Sequence, residues 1–468
     1  MDRPNFVFIL LDDLGWCDLG VYGSSFYETP QLDRLAAEGM RFTAAYAACP
    51  VCSPTRASLL TGRYPARLGL TNYIDWSGRQ HPSRGRLIDA PYVRALPTSE
   101  TSLARALGEG GYQTWHIGKW HLGGEGTLPE DHGFEVNLGG CHWGHPNRGY
   151  FSPYGLPNLA DGPPGEYLTD RLTDEAIRLI RERDERPFFL NLWHYAVHTP
   201  IQAPEALVAK YRAKARALHL DTLDPFEEGE PFPTEHKRQQ RVQRRRVQSD
   251  PSYAAMVENL DQNVGRLLAA LAAEGLADNT VVIFTSDNGG LATSEGSPTC
   301  NAPLQEGKGW MYEGGNREPL LVRWPAGIRS GSRCDEPVTS PDLYPTLLDL
   351  AGLPPRPAQH RDGVSIAPLL RETGSLGERP IFWHYPHYGN QGGTPGSAVR
   401  LGDYKLIEFF EEGRLELYDL RHDISEANNL AATQPELVAR LKRQLDAWRD
   451  EVEALFCEPN PAWGAVAD

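Results

Sequence analysis

The sequence predicts an α/β fold: a large, mainly parallel β-sheet sandwiched by helices, with a smaller C-terminal α+β domain. Short and almost wholly apolar runs are the first indication, since they are typical of strands buried on both faces of a sheet. They cover residues 5–11, 187–193 and 280–285. Helical spacing of apolar residues is the second, at residues 29–38, 102–108, 170–183 and 253–273. Strands that alternate with helices predict a parallel sheet covered on both faces.

The chain changes character beyond about residue 370. The segments "IFWHY", "AVRLGDYKLIEF" and "RLELYDL" look like short antiparallel strands with turn residues between them. An amphipathic helix is predicted to close the chain at residues 435–456. We therefore expect a first domain at residues 1–370 and a C-terminal subdomain at residues 371–468, built from a small sheet and one helix.

The overall charge argues against two classes of partner. The 468 residues include 62 acidic and 46 basic ones, a net charge of −16, which would repel nucleic acids and anionic membrane surfaces. The apolar run at residues 6–11 is too short to span a membrane. No secretory signal precedes it, so the chain as written is expected to be cytoplasmic, or periplasmic or secreted if a signal was trimmed.

Polar side chains follow each of the three predicted strands. Asp12 and Asp13 follow the first, a histidine pair (His194 and His198) follows the second, and Asp287 with Asn288 follows the third. Ligands of open α/β sheets bind at the carboxyl ends of the strands. We therefore expect these residues to converge on one edge of the sheet.

Cys52 is set apart from the other six cysteines, which we expect to be mostly free buried thiols because their spacing is irregular. Ser53 is a favourable N-cap and Pro54 a favourable first helical residue, so Cys52 is predicted to lie at the N-terminus of a helix. Backbone N–H groups and the helix dipole favour an anion there. Arg56 follows about one turn later and is expected to face the same place.

The segment Cys52-Ser53-Pro54-Thr55-Arg56, with Leu60-Thr61-Gly62 after it, resembles the sulfatase signature C-x-P-x-R followed by L-T-G. The resemblance extends over nearly the whole chain. It implies an alkaline phosphatase-like fold. It also implies that a separate maturation enzyme oxidises Cys52 to formylglycine (3-oxoalanine).

Other positions of the family pattern match in order. Asp12, Asp13, Asp287 and Asn288 resemble the metal ligands, to which residue 52 is added. Lys119 and His121 in "HIGKWHLG" resemble the Lys-x-His pair, His198 in "VHTP" the next catalytic histidine, and Lys308 in "EGKGWMYEGG" the last sulfate-binding lysine. Carboxylate and amide oxygens are hard ligands that suit Ca²⁺ or Mg²⁺. The resemblance implies Ca²⁺, with Mg²⁺ as the alternative.

The resemblance also implies a mechanism. The aldehyde of residue 52 is hydrated, and one hydroxyl, polarised by the metal and by Arg56, attacks sulfur. Lys119, Lys308 and His198 stabilise the sulfate oxygens. His198, assisted by Lys308, protonates the leaving alcohol, and the second hydroxyl then expels sulfate with His121 as the base.

Substrate choice is expected to lie in two loops rich in aromatic residues and histidine, at residues 139–150 and 383–400. The strings "EGGNREP" and "LYDLRHDISEANNLA" resemble carbohydrate sulfatases of the arylsulfatase A and N-acetylgalactosamine-6-sulfatase type, which favours a sulfated glycan as substrate over another sulfated small molecule. The alternatives are a phosphonate monoester hydrolase or phosphodiesterase of the same superfamily, and an inactive glycan-binding homologue. The oligomeric state is left open.

The charged segment at residues 221–250, with "EEGE" followed by "KRQQRVQRRR", is predicted to be a solvated loop or helix. The alternative is a basic lip that attracts a polyanionic substrate.

Overall fold

The computed structural model describes residues 3–76 and 82–463. The first twelve strands are β1 Asn5–Leu11, β2 Met40–Tyr46, β3 Leu87–Ile88, β4 Gln113–Gly118, β5 Val136–Leu138, β6 Phe188–Trp193, β7 Phe226–Pro231, β8 Arg241–Arg245, β9 Thr280–Ser286, β10 Arg317–Arg323, β11 Ser332–Cys334 and β12 Val338–Thr339. The later strands are β13 Ile381–Tyr385, β14 Gly396–Leu401, β15 Tyr404–Phe409, β16 Arg414–Asp419 and β17 Glu458–Pro459. The helices are α1 Pro30–Glu38, α2 Cys52–Thr61, α3 Pro65–Leu68, α4 Leu103–Glu109, α5 Leu168–Glu182, α6 Glu205–Ala217, α7 Pro251–Ala273, α8 Glu313–Asn316, α9 Leu343–Leu350, α10 Ala367–Leu370 and α11 Pro435–Glu451.

The central sheet confirms the predicted fold class. Its strand order is β11-β2-β10-β9-β1-β6-β4-β5, and β12 pairs with β2 as the ninth strand. Strands β9, β1, β6, β4 and β5 run parallel, while β10 is antiparallel to both of its neighbours. The three strands predicted from apolar runs are β1, β6 and β9, which lie side by side at the centre of the sheet.

The two faces of the sheet are covered by separate hydrophobic clusters. Strand β1 shows why, because its side chains alternate: Val7, Ile9 and Leu11 pack on one side with α1, α5, α6 and α7. Phe6, Phe8 and Leu10 pack on the other side with α2, α4 and α9. A strand buried on both faces must be apolar along its whole length, which is the pattern that made β1 visible in the sequence.

The C-terminal subdomain is a four-stranded antiparallel sheet in the order β13-β14-β15-β16, with α11 packed on it. Leu441, Leu445 and Trp448 of α11 pack against Phe382, Val399 and other buried residues of the sheet. The predicted sheet-plus-helix unit is therefore present, although α11 ends at Glu451 and not at residue 456. The domain boundary at residue 370 stays a prediction.

The charged segment at residues 221–250 is largely exposed, as predicted, but its main element is neither a loop nor a helix. It contains the antiparallel hairpin of β7 and β8. Cross-strand charge pairs account for this, since Arg241 pairs with Glu228 and Arg244 with Glu230. Because Arg246 also pairs with a glutamate, Glu227, these arginines do not form the basic lip considered as the alternative.

No helix of the described part of the chain is long and apolar enough to cross a membrane. All seven cysteines are free thiols, five of them buried, as the irregular spacing predicted.

A cluster of buried charges joins the C-terminal sheet to the large domain. Lys405 of β15 is fully buried and contacts Glu313 of α8 and Glu426, each at 3.0 Å. Burial alone would raise the pKa of Glu313, but Lys405 and Arg317 lower this pKa to about 2. Glu426 also accepts a hydrogen bond from the backbone N–H of Glu313 at 2.6 Å. The segment before β10 is thus held by a lysine from the other domain.

We expect Lys405→Met to lower the free energy of unfolding by about 3–5 kcal/mol, because two buried carboxylates lose their shared cation. Lys442→Met is the matched control: Lys442 pairs with Asp446 on the partly exposed surface of α11, so its loss should cost about 0–1 kcal/mol. Denaturant unfolding of both variants measures the difference. Equal and small losses would contradict a structural role for the Lys405 cluster.

Candidate active site

The carboxyl ends of four parallel strands bring the predicted residues together. Backbone hydrogen bonds fix each strand end: Asp12 N–H donates to the carbonyl of Ala196, Lys119 N–H to Trp193, and Asp287 N–H to Leu11. Asp12 and Asp13 follow β1, Lys119 and His121 follow β4, His198 follows β6, and Asp287 and Asn288 follow β9. The convergence predicted from the fold rule is therefore present.

Cys52 is the first residue of α2, and its side chain meets His121. The Cys52 Sγ lies 3.3 Å from His121 Nδ1, and His121 Nε2 lies 2.7 Å from the carbonyl oxygen of Ile74. A carbonyl can only accept, so Nε2 carries the proton and the lone pair of Nδ1 points at residue 52. Burial, reinforced by Lys119, holds the pKa of His121 well below its usual value. His121 is thus a neutral acceptor aimed at residue 52.

Ser53 does not cap the helix, contrary to the prediction. The residue before α2 is Val51, and no side chain caps the helix. The Ser53 hydroxyl instead donates to the carbonyl oxygen of His121 at 2.8 Å and accepts from the backbone N–H of Ile74 at 3.1 Å. The Ser53 hydroxyl therefore binds groups distant in sequence and does not cap the helix. It fixes both segments that orient the His121 ring.

Two carboxylates lie beside the Cys52 side chain, and a third lies next to one of these. Oxygens of Asp12 and Asp287 and the Cys52 Sγ all lie within 4.8 Å of one another, and so do ligand atoms of Asp12, Asp13 and His198. All three aspartates are buried. Burial raises the pKa of Asp12 to about 8 against the opposing effect of Lys119, whereas Asp13 keeps a pKa below its usual value because Lys308 and His198 outweigh its burial.

This group of oxygens fits a hard divalent cation. The side-chain oxygen atoms Asp12 Oδ1 and Asn288 Oδ1 are buried and have no hydrogen-bond partner, although buried polar atoms are nearly always paired. Asn288 Nδ2 donates to Asp13 Oδ1 at 2.8 Å, which joins the two residues. Carboxylate and amide oxygens are the ligands that Ca²⁺ and Mg²⁺ prefer.

Each aspartate is contacted by at least one cationic side chain. Lys119 Nζ donates to Asp12 Oδ2 at 2.6 Å, and Lys308 Nζ donates to Asp13 Oδ2 at 2.8 Å. The three cations Arg56, Lys119 and Lys308 balance the three carboxylates, so a divalent cation would leave the site at +2. An anionic ester is thus favoured locally, despite the negative charge of the whole protein.

Arg56 contacts the two carboxylates that lie beside Cys52, those of Asp12 and Asp287. It is fully buried, its Nε donates to Asp287 Oδ2 at 2.8 Å, and its Nη1 donates to the carbonyl oxygen of Lys119 at 3.0 Å. Its guanidinium lies 5.2 Å from the ring centroid of Trp193. The structure therefore makes Arg56 a clamp on Asp287 and on the strand end that carries Lys119.

His198 is bound on both sides of its ring. Its Nδ1 lies 2.9 Å from the carbonyl oxygen of Thr199, which makes Nδ1 the protonated atom, and Lys308 Nζ lies 3.1 Å from Nε2. The hydroxyl of Tyr150 donates to the backbone carbonyl of His198 at 2.8 Å. Lys308 therefore directs an N–H at Nε2 of His198. The same nitrogen lies 3.5 Å from Asp13 Oδ2.

A cleft of about 970 Å³ opens from this site to the surface. Of the predicted residues, Cys52, His121, His198 and Lys308 line it. Both predicted substrate loops also contribute, through His142, Trp143, His145 and Asn147 from the first and Asn390 and Gln391 from the second. Trp76 is 50% exposed at the cleft and meets the ring of His142 edge to face at 5.2 Å.

The sequence prediction missed some residues of the cleft and placed one residue wrongly. His194 is buried and does not line the cleft, since its side chain remains in the core while the chain turns back four residues later at His198. Residues 73–76, His236, Lys237 and Glu295 line the cleft without having been predicted. Only the high charge of residues 221–250 marked the region of His236 and Lys237 in the sequence.

Comparison with known families agrees with this geometry. The family model described as "Sulfatase" matches residues 4–353. A second model, described as "N-sulphoglucosamine sulphohydrolase, C-terminal", matches residues 306–451. The two matches together cover both the large domain and most of the C-terminal subdomain.

Named relatives and solved structures agree with the family models. The chain is 34% identical to N-acetylgalactosamine-6-sulfatase of Canis lupus familiaris, over 86% of this chain and 71% of the relative. It is also 34% identical to arylsulfatase A of Homo sapiens, over 96% and 88%. The crystal structure of Ps i-CgsB in complex with k-i-k-neocarrahexaose matches with a TM-score of 0.76 and 29% identity, over 96% of this chain and 93% of that one.

The phosphonate monoester hydrolase of Agrobacterium radiobacter is similar in structure, with a TM-score of 0.65, 21% identity and 96% of each chain covered. At that identity the likeness shows the fold alone. The match to the sulfatase model over residues 4–353 and the 34% identity to named sulfatases decide between the two enzyme classes. The chain belongs to the sulfatase family and is a sulfuric ester hydrolase.

Proposed function

We propose that the protein hydrolyses a sulfate ester of a carbohydrate, with Cys52 converted to formylglycine as the nucleophile and a divalent cation beside it. One observation carries the proposal: residue 52 lies at the start of α2, 3.3 Å from a neutral His121 nitrogen and among the carboxylates of Asp12 and Asp287. As a thiol, Cys52 would be a poor nucleophile there, because burial raises its pKa. Formylglycine is a general feature of the family, and its hydrate needs no such ionisation of sulfur.

Asp12, Asp13, Asp287 and Asn288, together with residue 52, would hold the cation, which we propose to be Ca²⁺, with Mg²⁺ as the alternative. When bound, the ion would supply positive charge to the sulfate oxygens and to the attacking hydroxyl. Arg56 keeps the Asp287 carboxylate in place through its hydrogen bond at 2.8 Å. A host maturation enzyme would be required to oxidise Cys52.

In the first step, one hydroxyl of the hydrated residue 52 attacks sulfur and loses its proton to a neighbouring carboxylate, that of Asp12 or Asp287, while the bond between sulfur and the sugar oxygen breaks. Lys119 and Lys308, which are held by Asp12 and Asp13 respectively, would stabilise the charge on the sulfate oxygens. His198 is proposed to protonate the leaving oxygen, with its proton supplied from Lys308 at 3.1 Å. The sulfo group is then attached to residue 52.

In the second step, the remaining hydroxyl of residue 52 loses its proton and the carbon–oxygen bond to sulfate breaks, which restores the aldehyde. His121 is suited to accept this proton, because its Nδ1 lone pair faces residue 52 and its Nε2 is committed to the carbonyl oxygen of Ile74. A serine at position 52 would have only one hydroxyl and no such route to release sulfate.

A carbohydrate substrate is supported by the cleft and by the relatives. The cleft of about 970 Å³ is larger than a sulfate group requires, and Trp76, His142 and Trp143 give its wall the flat rings that pack on sugars. One relative is named N-acetylgalactosamine-6-sulfatase, and Ps i-CgsB was solved in complex with k-i-k-neocarrahexaose. We propose a sulfated glycan or glycan fragment on these grounds.

We expect Cys52→Ser to abolish multiple turnover of 4-nitrophenyl sulfate while the protein stays folded, because the single hydroxyl cannot expel sulfate. Cys49→Ser is the control, since Cys49 is equally buried three residues away but does not line the cleft; it should retain turnover. In active wild-type protein, peptide mass spectrometry should show residue 52 lighter than cysteine. Fully active protein with an unmodified thiol would exclude the mechanism.

His121→Ala should slow release of sulfate from residue 52 more than it slows the first step, because the base acts only in the second. Rapid mixing with 4-nitrophenyl sulfate should then give a burst of one nitrophenol per enzyme, followed by turnover about 100-fold slower than wild type. A sulfated peptide containing residue 52 should be found by mass spectrometry during this slow phase. Uniform slowing with no burst would argue against His121 as the base.

Removal of divalent cations by a chelator should abolish activity, and Ca²⁺ or Mg²⁺ should restore it. A ligand that binds only the folded state stabilises that state. The midpoint of thermal unfolding of wild-type protein should therefore also rise with cation concentration. Asp13→Asn should lose this rise, whereas Asp335→Asn, an exposed residue paired with Arg333, should keep it. A midpoint independent of cations would contradict the metal site.

A further inference from the structure

The hairpin of β7 and β8 places one lysine against the catalytic cleft. Lys237 lies in the connection between the two strands and lines the cleft together with Cys52, His198 and Lys308. Its ammonium donates to the carbonyl oxygen of Asn390 at 2.8 Å and lies 4.9 Å from the ring centroid of Phe232. These contacts fix the stem and the position of the charge, so Lys237 is a built part of the wall.

Within the described part of the chain, Lys237 lacks the ion pair that three arginines of strand β8 and its end have. Arg241, Arg244 and Arg246 each form an ion pair with a glutamate. No carboxylate of the residues that the structure describes lies within ion-pair distance of Lys237. Burial lowers its pKa, which is the behaviour of a cation that has lost water without gaining a full counter-charge.

Glu295, an acidic side chain on the same wall, attracts Lys237 electrostatically and only partly offsets the effect of its burial. Glu295 lines the cleft, and its Oε1 accepts a hydrogen bond from Gln391 Nε2 at 3.2 Å. Asn390 and Gln391 therefore hold Lys237 and Glu295 respectively, from the C-terminal subdomain. The Lys237 ammonium has a carbonyl oxygen as its hydrogen-bond acceptor. Because an ammonium has three N–H donors, it can also bind an anion from solution.

We infer that Lys237 binds a second anionic group of the substrate, a carboxylate or a further sulfate, while the reacting sulfate ester lies at residue 52. The inference rests on the proposed function and narrows it to glycans that carry two negative groups. Lys308 and Lys119 serve the reacting sulfate at the buried end of the cleft, so they are not available for this second group. Lys237 is thus a specificity-determining residue and takes no part in bond breaking.

The test compares pairs of substrates that differ by one charge. One pair is a monosulfated and a disulfated hexosamine. The other is a sulfated disaccharide with a free uronate and the same disaccharide with that carboxylate esterified. 4-Nitrophenyl sulfate, which has no second anion, reports the catalytic centre alone.

In Lys237→Met, we expect KM to rise and kcat/KM to fall by about 10- to 100-fold for at least one substrate with two charges, the range for a lost charge-assisted hydrogen bond. Its singly charged partner and 4-nitrophenyl sulfate should change less than about twofold. A loss on the disulfated hexosamine assigns the second group as sulfate, and a loss on the uronate assigns it as a carboxylate. Lys237→Arg should restore most of the preference, and Arg246→Met, outside the cleft, should leave it intact.

Two results would overturn the inference: an equal loss on all substrates including 4-nitrophenyl sulfate, or an unchanged kcat/KM on both doubly charged substrates. Wild-type protein that does not prefer either doubly charged substrate over its partner would also overturn it. A wild-type protein inactive on every sulfate ester would instead refute the proposed function, so the two failures are distinguishable. Thermal unfolding of each variant checks that the hairpin is intact.

Discussion

The structure depends on opposite charges that are held close together and away from water at one edge of the sheet. Three buried aspartates lie within contact distance of two lysines and one arginine, and Lys119 and Arg56 are themselves fully buried. Each of these ions would be costly to bury alone. The carboxylates compensate the charge of the cations. The lysine and arginine side chains can therefore be buried beside residue 52 and do not need water to solvate them.

Hydrogen bonds around this edge of the sheet orient the two histidine rings, whose orientation the charges alone do not determine. The Ser53 hydroxyl joins the backbones of His121 and Ile74, and the Ile74 carbonyl selects the His121 tautomer. The neighbouring histidine, His198, is fixed in the same way by the carbonyl oxygen of Thr199. In both rings a backbone acceptor binds one nitrogen, so the other nitrogen faces the reacting region.

The C-terminal subdomain contributes to the site although it carries no group that reacts. Lys405 binds Glu313 at 3.0 Å, and Glu313 follows Lys308 by five residues. The Lys308 backbone is also tied to Gly290, and Gly309, at φ 80°, donates its N–H to the carbonyl oxygen of Pro50 just before α2. A conformation with positive φ suits glycine. The segment that carries Lys308 is therefore held from the C-terminal sheet, from the end of β9 and from the start of α2.

The sequence by itself determined the central strands, the alternation that makes the sheet parallel, the C-terminal sheet and the identity of the residues around Cys52. Those features depend on local apolar patterns and on strand ends, which neighbouring residues specify. Tertiary structure alone decided that Ser53 binds His121 rather than capping the helix, that Arg56 binds Asp287 and the carbonyl oxygen of Lys119, and that His194 remains in the core. It also turned a charged segment into a hairpin whose Lys237 faces the cleft. Each of these outcomes depends on partners that are far away in the chain. A polar group binds the nearest suitable partner in space, whatever the separation of the two residues in the sequence.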